Sequence, residues 1–269
     1  MFGKLMKYEL RYLLRIFGPM WGLVLALCIA GRVSNWDLTN METNTVFALL
    51  MMAAVIAIVA MMVIGAVVLI QRFYKGMYGD EGYLMFTLPV KTGAIINAKA
   101  LSALLMLFVT GVVTVAGYLI LFSYEEIWTE LVDFVRVIMS DPAVTITGLQ
   151  VGLICFWGLV AMAASMAQEL YCVYLSISVG QLWRKHPVAG GILAYYGIGV
   201  VFAMVGEFLY RITGEQLFDW MDSMTWITEL QDYRLVILLF VGSAVLNLIL
   251  GGLFFLGTKV LMDKKLNIQ

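Results

Sequence analysis

Six long apolar segments constrain this chain more than any other feature of its sequence. They cover about residues 16–31, 46–70, 100–122, 143–182, 188–210 and 235–258. A helix needs about 20 apolar residues to cross the roughly 30 Å hydrocarbon core of a bilayer. Because 62% of the chain is hydrophobic and only 13% is charged, the composition argues against a water-soluble globule. The sequence predicts an all-α, polytopic membrane protein with six transmembrane helices in a single transmembrane domain, residues 1–269.

The fourth segment leaves two structures open. It is 40 residues long, which is about 60 Å of helix at about 1.5 Å per residue and twice what a bilayer requires. Either one long tilted helix projects from the membrane, or the helix breaks near Gln168 and Glu169.

The distribution of charged residues predicts the orientation. In the six-span arrangement, thirteen Lys and Arg fall on the side of the termini and four on the other: Lys4, Lys7, Arg11, Arg15, Arg72, Lys75, Lys91, Lys99, Arg184, Lys185, Lys259, Lys264 and Lys265 against Arg32, Arg136, Arg211 and Arg234. Cytoplasmic loops carry the excess of basic residues. We therefore expect both termini in the cytoplasm.

Residues 1–15 are expected to form an amphipathic helix in contact with membrane lipid. At the helical repeat, four basic residues fall within an arc of about 80°, opposite an apolar face: Lys4, Lys7, Arg11 and Arg15. This pattern is typical of an interfacial helix on an anionic leaflet. Glu9 lies at the centre of the apolar face. Two interpretations stay open: Glu9 pairs with a basic group on a neighbouring cytoplasmic segment and transmits motion, or it reaches the membrane interface or pairs locally with Arg11 or Tyr12.

The segment between the second and third spans has an unusual composition for a loop. It combines turn glycines with aromatic and acidic residues, including Phe73, Tyr74, Tyr78, Gly79, Asp80, Glu81 and Tyr83. Aromatic anchors of this kind favour a short helix that inserts into a groove of a partner protein. The alternative is a re-entrant segment that packs its aromatic rings against lipid headgroups.

Several function classes are disfavoured by what the chain contains. The net charge of the chain is −1, so the chain lacks the strongly basic surface of a nucleic-acid-binding protein. Three cysteines within apolar segments and one histidine provide no zinc site of the usual Cys/His kind and no metal-centred or acid-base constellation, so we expect no enzyme and no metal site. Glu169 is the ionisable residue of interest within a span, either lining a polar cavity on a substrate path or reaching water at the inner interface.

Four stretches together resemble the bacterial ABC-2 type permeases: Lys7-Tyr8-Glu9, the run from Met77 to Tyr83, the run from Phe86 to Lys91, and the run from Gly180 to His186. The resemblance implies the transmembrane subunit of an ATP-binding cassette exporter. Two permease chains, identical or related, would associate with two cytoplasmic ATPase subunits, which bind ATP and magnesium, while this chain binds no cofactor. The coupling helix would fall within Lys75 to Leu88, and the second and fifth spans would lie at the permease interface.

The expected function is export of an amphiphilic peptide, drug or lipid-like substrate. Two alternatives remain: a secondary transporter driven by an ion gradient, and a membrane scaffold that moves no cargo. A secondary transporter is expected to show internal repeats and buried carboxylates near mid-membrane, and Glu169 is the one candidate for the second feature.

Overall fold

The computed structural model describes residues 2–34, 45–79, 82, 90–122, 128–130, 132–133, 136, 148–183, 185–223 and 232–266. Within these residues the chain forms six long α-helices: α1 (Phe2–Ser34), α2 (Thr45–Tyr78), α3 (Thr92–Leu121), α4 (Gly148–Gly180), α5 (Pro187–Ser223) and α6 (Asp232–Leu266). Each contains a stretch long and apolar enough to cross a membrane. The prediction of an all-α chain with six potential transmembrane helices is therefore confirmed. The interfacial position of the N-terminal segment and the cytoplasmic location of the termini stay predictions.

The helices group into two compact units, residues Met1–Thr145 and Ile146–Gln269. The interpretation of the whole chain as one transmembrane domain stays a prediction.

In the first unit, α1 packs against both α2 and α3, which contact each other much less. A continuous stripe of buried residues along α1 makes these contacts: Glu9, Leu13, Phe17, Val24, Cys28 and Gly31. Intervals of three, four and seven residues keep such a stripe on one helical face. Trp21 adds a polar contact, because its indole nitrogen Nε1 donates a hydrogen bond to Thr110 Oγ1 at 3.1 Å.

α1 is one helix where the sequence suggested an N-terminal helix followed by a separate span. Its 33 residues run through Pro19 without interruption. Proline removes one helical hydrogen bond, but Leu13, Phe17 and Val24 present the same buried face on both sides of it. Packing against α2 and α3 thus holds both halves in a single helix.

α2 also continues beyond the predicted span, ending at Tyr78 instead of near residue 70. Its buried stripe includes Gly65, Leu69 and Phe73 and extends to Met77. The first eight residues assigned to a loop therefore belong to the helix. α2 is longer than the apolar segment because its buried face continues past the end of that segment.

In the second unit, α4 packs against α5 and, more extensively, against α6. α4 is continuous across Gln168 and Glu169, so the fourth segment does not break there. The tilt of this helix and its projection from the membrane stay predictions. α4 and α6 run in the same direction, and their backbones approach closely at Gly251. A Cβ atom at Gly251 would lie 3.3 Å from the Cα of Gln168.

Large apolar side chains face outward on all six helices, for example Leu23, Val59, Val115, Leu159, Val200 and Leu248. Apolar surface this extensive is far more than a soluble monomer exposes. It suits helices whose outer faces contact lipid tails. The fold therefore defines a multi-pass α-helical membrane protein.

Candidate functional site

Three charged side chains from three helices meet in the first unit. The Glu9 carboxylate of α1 accepts hydrogen bonds from Arg72 Nε at 2.8 Å and from Arg72 Nη2 at 3.3 Å. Its Oε1 atom also accepts a hydrogen bond from Lys99 Nζ at 2.7 Å. Arg72 lies near the end of α2 and Lys99 near the start of α3. We call these three residues the ionic cluster.

The ionic cluster is largely removed from solvent. Glu9 is 2% exposed, Lys99 3% and Arg72 17%. A buried charge is costly unless it is paired and hydrogen-bonded, and here one carboxylate is shared by two cations through charge-assisted hydrogen bonds. Of the two interpretations of Glu9, the contacts agree with pairing to basic groups on neighbouring helices, and these groups are Arg72 and Lys99, not Arg11.

Two neighbouring residues shape the ionic cluster. The Arg72 guanidinium lies over the Tyr12 ring, 4.2 Å from its centroid, an arrangement that adds a cation–π contact. Gly76 provides room for Lys99: a Cβ atom at position 76 would lie 3.0 Å from Lys99 Cε and would overlap Nζ. Any larger residue at position 76 must displace the Lys99 side chain.

Two members of the ionic cluster flank the segment that connects α2 to α3. Arg72 precedes this segment and Lys99 follows it, so Glu9 joins the two flanks to the first turns of α1. Glu9 therefore links α1 to the two helices on either side of this segment.

The aromatic residues predicted as partner anchors differ in their exposure. Phe73 is 1% exposed and belongs to the core of the first unit, so its ring is not available to a partner in this conformation. Tyr74 and Tyr78 are half-buried. The Tyr78 ring contacts both other rings, with centroid distances of 6.5 Å to Phe73 and 6.5 Å to Tyr74. Gly79 follows directly, and its N–H donates a hydrogen bond to the Tyr74 carbonyl at 3.2 Å.

The remaining predicted anchors, Asp80, Glu81 and Tyr83, lie outside the described residues. Their role stays a prediction.

The basic residues of the N-terminal segment are exposed. Lys4, Lys7, Arg11 and Arg15 all lie on the outer surface of α1. Glu9, Leu13 and Phe17 face the other helices. This separation suits contact between the basic face and anionic headgroups, which stays a prediction.

Glu169 lies in the second unit, in an open groove of about 420 Å³ between α4, α5 and α6. The Tyr195 hydroxyl of α5 donates a hydrogen bond to Glu169 Oε1. The groove is lined mainly by apolar and aromatic side chains. Both interpretations of Glu169, as the lining of a polar cavity on a substrate path and as a residue that reaches water at the inner interface, stay predictions.

The two cations that pair with Glu9 were not singled out by the sequence. Lys99 carries a usable signal, because it occupies a position of the buried α3 stripe together with Ala103, Met106 and Thr110. A lysine at such a position needs an anionic partner. Arg72 carries no comparable signal, since it stands at the end of an apolar segment where arginine is ordinary.

No protein-family model, no curated protein and no solved structure matches this chain.

Proposed function

We propose that this chain is the transmembrane permease subunit of an ATP-binding cassette exporter. In this proposal two permease chains associate with two separate ATPase subunits that bind ATP and magnesium, in a bacterial cytoplasmic membrane. The proposal rests on the resemblance to ABC-2 permeases, the asymmetric distribution of basic residues, and the ionic cluster.

The ionic cluster is the observation that supports the proposal most. A permease without its own ATPase must receive mechanical work through a segment that contacts the ATPase. The segment between α2 and α3 begins after Arg72 and ends before Lys99, and both are held by Glu9. Displacement of this segment would move the adjoining ends of α1, α2 and α3 together.

In this proposal Tyr78 is the first contact for the ATPase. Its half-buried ring rests on Phe73, which is part of the core. Tyrosine is enriched among the residues that dominate protein interfaces. A push on Tyr78 would pass directly to a core side chain of α2, without a flexible loop between them.

ATP binding would close the two ATPase subunits and displace this segment, and the permease pair would shift from inward to outward access. ATP hydrolysis would then return the pair to the inward state. The ionic cluster would hold the relative positions of α1, α2 and α3 in both states.

The test is copurification of the tagged chain with the ATP-binding cassette subunit encoded beside its gene, followed by measurement of ATP hydrolysis. We expect Tyr78→Ala to weaken the complex by about 10-fold or more, since truncating a central interface tyrosine costs upward of about 1.4 kcal/mol.

Tyr118→Ala is the matched control. Tyr118 lies near the opposite end of α3 and also contacts a neighbouring ring, that of Phe122, at a centroid distance of 6.4 Å. We expect this variant to bind the ATPase normally. Equal losses in both variants, or an unchanged complex in Tyr78→Ala, would contradict the proposal, as would the absence of an adjacent ATPase gene.

A further inference from the structure

The groove of the second unit combines one carboxylate with several aromatic rings. Glu169 and Cys172 of α4 form one wall, Tyr195 and Phe202 of α5 form another, and Phe254 of α6 closes the base. All three helices belong to the same compact unit.

Glu169 provides the only formal charge among the groove-lining side chains that the structure describes. The contrast with the other carboxylates is informative: Glu9 pairs with two cations and Glu207 pairs with Arg211. Glu169 instead accepts a hydrogen bond from the neutral hydroxyl of Tyr195. Since a carboxylate within an apolar span is expensive, this one is suited to a cation that comes from outside the chain.

The aromatic rings complement a cation with apolar substituents. Tyr195 and Tyr196 contact each other edge to face at 5.8 Å between ring centroids, and Phe202 and Phe254 do so at 5.7 Å. Ring faces attract cations, and aromatic cages bind quaternary ammonium groups in this way. The apolar walls would accommodate the remainder of such a molecule.

A metal cation fits this groove poorly. Stable metal sites use several protein ligands, and in the part of the chain that the structure describes no three His, Cys, Asp or Glu residues are grouped to hold one. One carboxylate beside aromatic rings favours a monovalent organic cation.

The groove lies along the length of the helices, away from the end at which α4 and α5 adjoin. Glu169 is eleven residues from the C-terminal end of α4 and Tyr195 is eight residues from the N-terminal end of α5. These separations correspond to about 16 Å and 12 Å of helix. The two helix ends adjoin, since a Cβ atom at Gly180 would lie 2.6 Å from the Pro187 carbonyl oxygen. The groove therefore lies well below this end of both helices.

We infer that the groove at Glu169 and Tyr195 binds a lipophilic organic cation, with the carboxylate as counter-ion and the aromatic rings around the charged centre. This inference deepens the proposed function, on which it rests, by naming the substrate class of the exporter.

The experiment measures equilibrium binding of radiolabelled tetraphenylphosphonium to the purified full-length chain in lipid nanodiscs, without any ATPase. Tetraphenylborate, which has the same shape and the opposite charge, is the ligand control. We expect the cation to bind saturably to the unaltered chain. Glu169→Gln should lower the affinity for the cation by about 10-fold or more and leave the affinity for tetraphenylborate unchanged.

Three further variants test separately whether binding depends on the Tyr195 ring, on the Tyr195 hydroxyl, and on a carboxylate outside the groove. Tyr195→Leu removes a ring and is expected to weaken binding of the cation by about 5-fold. Tyr195→Phe keeps the ring and is expected to change the affinity for the cation by less than about 2-fold. Glu207→Gln removes an exposed carboxylate of α5 that pairs with Arg211, and it should bind like the unaltered chain.

Two results would overturn the inference: cation binding that is unaltered in both Glu169→Gln and Tyr195→Leu, or cation binding no stronger than that of tetraphenylborate. The two Tyr195 variants keep the test valid should Glu169→Gln fail to fold. Because no ATPase is present, failure here leaves the association measured with Tyr78→Ala unaffected, and a failed association leaves cation binding measurable.

Discussion

Glu9 pairs with two cations of the first unit that are largely removed from solvent. Lys99 is 3% exposed and Arg72 is 17% exposed. Removing one member of a buried ion pair costs about 3–5 kcal/mol, because the remaining charge is left uncompensated. The shared carboxylate makes Glu9 the most sensitive position of the ionic cluster.

We therefore expect Glu9→Gln to lower the free energy of unfolding by about 3 kcal/mol. The measurement is thermal or denaturant unfolding of the purified chain in detergent. Glu207→Gln is the matched control, since Glu207 and Arg211 are 61% and 76% exposed and such a pair contributes about 0.5 kcal/mol or less. Equal stability of the two variants would show that the ionic cluster does not stabilise the fold.

At the scale of the helix, the number of spans could be predicted from the sequence but their lengths could not. Hydropathy reports the part of a helix that crosses hydrocarbon. The helices extend further where packing continues, as α2 does from residue 70 to Tyr78 and as α1 does through Pro19. Continuity of α4 was open because Gln168 and Glu169 interrupt hydropathy without interrupting backbone hydrogen bonds.

The candidate site could likewise be predicted from the sequence only in part. Glu9 stood out because a carboxylate on an apolar helical face is a local anomaly. Its partners Arg72 and Lys99 are 63 and 90 residues away in the chain, and the contact depends on how α1 packs against α2 and α3. Phe73 was expected at the surface, yet the helical continuation of α2 turns it into the core.

The contact between α4 and α6 gives a prediction with an adjacent control. A Cβ atom at Gly251 would lie 3.3 Å from the Gln168 backbone, while one at Gly252 would meet nothing within 4 Å. We expect Gly251→Leu to lower the free energy of unfolding by about 1–3 kcal/mol, because it forces the helices apart, and Gly252→Leu to be tolerated. Unfolding in detergent measures both variants, and a more stable Gly251→Leu variant would contradict the α4–α6 packing.

At the scale of the whole molecule, each unit carries most of its described basic residues at one end of its helices. In the first unit the ionic cluster brings the start of α1, the end of α2 and the start of α3 to one end, which also carries Lys75. In the second unit, α4 and α6 end on the same side, and Lys185 and Lys264 lie at that end. Glu207 and Arg211 lie toward the opposite end of the unit. The excess of basic residues at these ends predicts that they face the cytoplasm.

The most direct measurement of the central claim, that the segment after α2 receives force from a cytoplasmic ATPase, is its sidedness. Lys75 is exposed at the end of α2, and Val33, which is 71% exposed, lies at the opposite end of α1. Each would be replaced by cysteine in a chain whose three native cysteines are alanine, and labelled with a membrane-impermeant maleimide. We expect Lys75→Cys to react only in inverted membrane vesicles and Val33→Cys only in intact cells; labelling of Lys75→Cys in intact cells would contradict the proposed coupling.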